Sequence, residues 1–110
     1  MASISDMGIQ ARLPVVPLFP ITDGSGTITN GGTAQLLFGG VVPPHGFSIF
    51  NDDASNALWF SWSTTAAANT NGSIEILSGG LYESPQGVIP AQAISIVGES
   101  TAQKFTAFYW

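Results

Sequence analysis

His45 is the only imidazole in the sequence, and so the only side chain whose ordinary pKa suits base work near neutral pH. Nucleophilic catalysis by a hydroxyl needs such a base, held in turn by an orienting partner. His45 sits in the rigid turn Pro43-Pro44-His45-Gly46, and no serine stands in a nucleophile-elbow sequence, so a turn or surface histidine is expected. Glycosidase chemistry needs two carboxylates flanking a cleft. Glu75 and Glu83 would face each other if their strands paired across Gly79-Gly80, but Glu75 alternates outward beside Ser73, where a solvated carboxylate is the ordinary reading. Asn51-Asp52-Asp53 and Asp23-Gly24-Ser25 are the candidate calcium loops; neither has the ligand pattern, and both are good turn sequences. Asn71-Gly72-Ser73 fits a glycosylation acceptor and equally a hairpin approach. Gly24-Ser25-Gly26 is too short to cradle a phosphate and precedes no helix. With no cysteine, thiolate metal sites, thiol nucleophiles and disulfides are excluded. The expectation is a protein that is not an enzyme, with no cofactor and no metal.

The charge pattern narrows the partners. Of 110 residues only 8% are charged, against about 25% in an average domain, while 45% are hydrophobic. Arg12 and Lys104 are the only cations and the net charge is −5, which argues against nucleic acid and anionic membrane as partners. The length suits one domain with one core. No run approaches the roughly 18–20 apolar residues of a membrane span. Met1-Ala2-Ser3-Ile4-Ser5-Asp6 has neither the basic nor the apolar region of a secretory signal, so assembly in a cytoplasm is expected.

The elements that must position these residues fall into two parts. Residues 1–31 read as an extended N-terminal arm. Pro14, Pro17 and Pro20 recur every third residue in Leu13-Pro14-Val15-Val16-Pro17-Leu18-Phe19-Pro20. Each proline fixes φ and removes a donor, so the stretch is extended with polyproline II character. It is also apolar, and two destinations are open: over its own domain, or onto a neighbouring subunit or another protein. Residues 32–110 read as strands between turns: Thr33–Phe38, Phe47–Asn51, Ala57–Ser63, Ser73–Ser78, Leu81–Glu83, Ala93–Gly98 and Lys104–Tyr109. Short alternating runs at this spacing predict an all-β fold, a β-sandwich or small jelly roll of six to eight antiparallel strands, with a barrel second.

The aromatic residues carry the binding expectations. Leu58, Phe60 and Trp62 share one strand face and suit the core; Trp59 lies on the other and, unless that face is buried within the domain, needs a cover from the arm, a neighbouring subunit or a sugar ring. Phe108, Tyr109 and Trp110 place aromatics on both faces of the last strand. Termini fray unless tied down, so this points to an oligomer interface or to a central strand of a single sandwich. Trp59 and Tyr82 are the alternative glycan-stacking platforms.

One further pattern runs through residues 27–110. Gly31-Gly32-Thr33-Ala34-Gln35-Leu36, Phe47-Ser48-Ile49-Phe50-Asn51, Leu58-Trp59, Thr64-Thr65-Ala66-Ala67-Ala68, Gly72-Ser73-Ile74, Gly79-Gly80-Leu81-Tyr82-Glu83, Ala93-Ile94-Ser95-Ile96-Val97-Gly98 and Gln103-Lys104-Phe105-Thr106-Ala107 follow in order. This resembles small virion structural proteins of tailed bacteriophages. The turn Glu99-Ser100-Thr101-Ala102 departs from the pattern, where a more neutral, glycine-containing turn is expected. The resemblance brings no catalytic residues. It implies a capsid decoration (cement) protein on the virion surface, partnered with the major capsid protein. The proline-rich arm lies outside the resemblance; Leu13–Pro20 are expected to be the partner-binding arm from their own apolar, extended character. A trimer is preferred because cyclic closure hides the edge strands of a small sandwich. A tail, neck or fibre component and a carbohydrate-binding adhesin module are the alternatives.

Overall fold

Alternation of apolar and polar side chains drives a run of short strands, each burying one face. The computed structural model describes residues 19–110. The arm positions Leu13, Pro14, Val15, Val16, Pro17 and Leu18 lie outside the described residues. The strands are β1 (Thr22–Asp23), β2 (Gly26–Thr27), β3 (Gln35–Leu36), β4 (Phe47–Asn51), β5 (Leu58–Ser61), β6 (Ile74–Ile76), β7 (Leu81–Glu83), β8 (Ser95–Gly98) and β9 (Lys104–Tyr109). There is no α-helix among the described residues.

The strands form two sheets with every pairing antiparallel. One has the order β1–β9–β4–β7, with β2 pairing farther along β9; the other has the order β3–β8–β5–β6. β1 and β2 are two pieces of one edge strand, interrupted at Gly24-Ser25. There the Gly24 N–H donates to the Ala107 carbonyl at 2.8 Å, and the Ser25 hydroxyl accepts the Ala107 N–H at 3.0 Å. With those pieces counted together, eight strands cross between the sheets in the order of a jelly roll.

The core lies between the sheets. Phe47 and Ile49 of β4 and Phe105 and Ala107 of β9 meet Leu58 and Phe60 of β5, Ile76 of β6 and Ile94 and Ile96 near β8. At one end Phe47, Phe60, Trp62 and Tyr82 form an aromatic cluster with ring centroids 4.7–6.0 Å apart. At the other end the core closes with a polar plug of two fully buried amides, Asn51 and Gln103. Asn51 Nδ2 donates to the carbonyls of Asn56 and Ile76 at 2.8 and 3.0 Å. Gln103 Nε2 donates to the Ala57 carbonyl at 3.0 Å, and its Oε1 accepts the Ser100 N–H. Buried amides bonded this way carry little desolvation penalty.

The fold corrects one boundary. Residues 22–28, read from the sequence as the end of the arm, belong to the sandwich: β1 and β2 pair with β9, and Ile28 is 1% exposed in the core. Two-residue strands around Gly-Ser-Gly carry no alternation, and backbone bonding to β9 makes them strands. The expected strand Thr33–Phe38 is also shorter. Only Gln35–Leu36 pairs, and the chain then turns through Phe38 at φ 56°.

Candidate interaction site

Side chains on residues paired across antiparallel strands share a face. The outer face of the first sheet therefore carries the row Asp23, Phe108, Ser48, Glu83 and beside it the row Thr106, Phe50, Leu81. Phe50 is 36% exposed and Leu81 63%. β4, β7 and β9 thus send one apolar set into the core while Phe50, Leu81 and Phe108 point away from it.

The end of this face is built by the chain terminus. Gly46 and Trp110 exchange backbone hydrogen bonds at 3.0 Å each way, and the His45 N–H donates to the Trp110 carbonyl at 2.7 Å. The indole lies on the Gly46 backbone, so close that a Cβ there would stand 2.9 Å from the ring. Phe19 crosses from the β1 edge and stacks on His45, centroids 3.7 Å apart and planes 17° from parallel. The result is an open groove of about 510 Å³ lined by Phe19, Ile21, Ser48, Leu81, Glu83, Phe108 and Trp110. A second depression of about 670 Å³ continues past Phe19, His45 and Trp110 to Pro85 and Ile89. Val88 and Ile89 beside it are about half exposed. The groove can bury apolar surface against rigid rings, and its rim offers the Glu83 carboxylate to a cation.

Phe19, Phe108 and Trp110 thus meet in one groove, with Pro20 exposed beside it. The other aromatics pack within the domain, as in the central-strand alternative. Trp59 is 3% exposed and needs no arm, subunit or sugar. Its cover is its own domain: Ala57, Ala66 and Val97 pack on it, and the Ala66 N–H donates to Ser95 Oγ at 2.9 Å, pinning the 64–72 loop over the ring. Tyr82 points inward against Phe60 at 4.7 Å, and burial raises its hydroxyl pKa. Tyr109 turns inward onto Phe38, also at 4.7 Å. β9 is a central strand, flanked by β1 and β2 on one side and β4 on the other. Sequence reasoning missed Ile21, Ser48, Leu81 and Glu83; the outward alternation of Leu81 and Glu83 around Tyr82 was the available signal.

The chemistry-bearing residues are dispersed. Glu75 lies in β6 and Glu83 in β7, on different sheets, so the two carboxylates do not face each other. His45 lies against Phe19. Asp53 Oδ2 accepts from the N–H groups of Ser55 and Asn56 at 3.0 and 2.7 Å, and these bonds hold its carboxyl below the usual aspartate range. Asp23 is held low in the same way by Ser25. Among the described residues no cluster of three or more His, Asp or Glu side chains is placed to hold a metal.

No protein-family model matches this chain, and no curated protein or solved structure matches it significantly.

Proposed function

We propose that this chain is a non-enzymatic bacteriophage virion protein, a capsid decoration (cement) protein on the surface of the head shell. It binds the major capsid protein through its N-terminal arm and through oligomeric contacts. The observation that carries this reading is the groove at the root of the arm: apolar, open, and walled by the terminal strand of a jelly roll. Exposed apolar patches on small proteins mark interaction sites. The jelly roll is an architecture shared by capsid and lectin domains, and the lectin alternative loses its platforms because Trp59 and Tyr82 both face into the fold. A cyclic trimer accounts for the exposed edge strands, because closure covers them.

The test is a chain lacking residues 1–18, which leaves every described strand intact. It is expected to fold, by circular dichroism, and to lose co-sedimentation with particles stripped of the full-length protein. Undiminished co-sedimentation would refute the role of the arm.

A further inference from the structure

We propose that the outer-face groove is the receptor for the proline-rich segment of a second copy, so that neighbouring copies are joined by exchange of Arg12–Pro17. The proposal rests on the reading above that the arm and this face are the working surfaces. It narrows that reading: residues 12–17 fill a neighbour's groove, so the arm serves shell binding by joining the copies that engage the shell.

The segment has the chemistry of a groove ligand. Arg12-Leu13-Pro14-Val15-Val16-Pro17 places prolines three apart, and Pro20 continues the spacing. A polyproline II helix has three residues per turn, so these prolines form one ridge on a stiff rod that loses little entropy when it docks. Aromatic-lined grooves recognise such rods. The groove offers Phe108, the Trp110 indole held flat on Gly46, and the exposed Leu81.

The charges agree. Arg12 is one of two cations in the chain and borders the proline ridge. Glu83 lines the groove, and Asp23 ends the same side-chain row. Lys104, the only cation among the described residues, pairs with Thr27 at the opposite end of β9 and leaves the Glu83 end without one.

The path of the chain selects a second copy over the segment's own groove. Phe19 is already a wall of the groove, stacked at its rim on His45. For residues 12–17 of the same chain to enter, the backbone would have to reverse between Pro17 and Phe19. Proline fixes φ at 17 and 20 and biases residues 16 and 19 to extended conformations, which opposes that reversal. Phe19 to Pro14 would span about 15 Å if extended, long enough to reach a neighbouring copy. In a closed ring each copy gives one segment and receives one.

The absence of cysteine makes the test direct. Full-length chain carrying Val16→Cys is mixed with full-length chain carrying Leu81→Cys and oxidised. Leu81 is exposed, so its replacement spares the core. A mixed covalent dimer is the expected product. Glu83→Arg on the Leu81→Cys chain should abolish it, and Arg12→Glu on the other chain should restore it. Absence of the mixed dimer overturns the proposal, as does a chain with both cysteines closing only on itself. Failure of the charge exchange to restore the dimer overturns the Arg12–Glu83 pairing. Particle co-sedimentation of the same variants is read separately: binding retained without exchange removes this inference alone, and exchange retained without binding removes the capsid reading alone.

Discussion

Phe19 stacks face to face on His45, 3.7 Å between centroids, and so ties the last residues of the arm to the turn before β4. The pair sits outside the core, and Phe19 is 44% exposed. A stacked pair contributes about 0.5–1.5 kcal/mol beyond its buried area. His45→Ala should therefore lower domain stability by only about 0.5–1.5 kcal/mol, while weakening oligomer formation and particle binding. Sedimentation and urea titration of the same variant check both halves. A collapse of the fold would place His45 in the core, and unchanged assembly would remove the pair from the site.

Trp59 is a stability residue in this structure. Truncating a buried tryptophan costs about 3–5 kcal/mol, and the Trp59 ring is covered by Ala66 and Val97. Trp59→Ala should lower unfolding free energy by that amount in urea titration. A change below about 0.5 kcal/mol, the range of surface positions, would show that the ring is not covered.

The polar plug predicts a different signature. Gln103→Leu keeps most of the volume but removes the donor to the Asn56 and Ala57 carbonyls and the acceptor for the Ser100 N–H. The two carbonyls keep a second donor each, from Asn51 Nδ2 and the Glu99 N–H, while the Ser100 N–H loses this acceptor. An orphaned group costs about 1–3 kcal/mol, so a loss of about that size is expected despite the more apolar side chain. Gly98→Ala should cost about 1–3 kcal/mol by overpacking, because a Cβ there would stand 2.7 Å from both Gln103 Oε1 and Ile28 Cγ1. Chemical denaturation checks both, and a stabilised Gln103→Leu would contradict the network.

Asp53 sets part of the acid limb of stability. Its folded pKa lies below the ordinary value because the Ser55 and Asn56 N–H groups bond the carboxylate. A group lowered on folding stabilises above its unfolded pKa, and that contribution is lost as pH falls through the folded value. The melting-midpoint gap between the native chain and Asp53→Asn should be full at neutral pH and narrow below about pH 4. A gap constant down to pH 2 would contradict the assignment.

The alternating strands were legible in the sequence, and the pairings between them were not. Phe47–Asn51, Leu81–Glu83 and Lys104–Tyr109 match their expected ranges because each alternates apolar and polar residues over turn-bounded runs. Thr22–Asp23 and Gly26–Thr27 carry no periodicity; they are strands because β9, about eighty residues later, offers them backbone partners. The cover over Trp59 was hidden for a related reason. It comes from Ala66, a small residue in a polar loop, positioned by one bond to Ser95. The groove was half legible. Phe108 and Trp110 stood out as aromatics, whereas Leu81 and Ile21 join them only through the order of the strands and the crossing of the arm.

The central claim is tested most directly by counting copies of this chain in purified virions against the major capsid protein. Shell decoration predicts a stoichiometry in the hundreds per particle. A handful of copies would place the chain in the tail, neck or fibre and contradict the decoration role, and absence from the particle would contradict a virion role altogether.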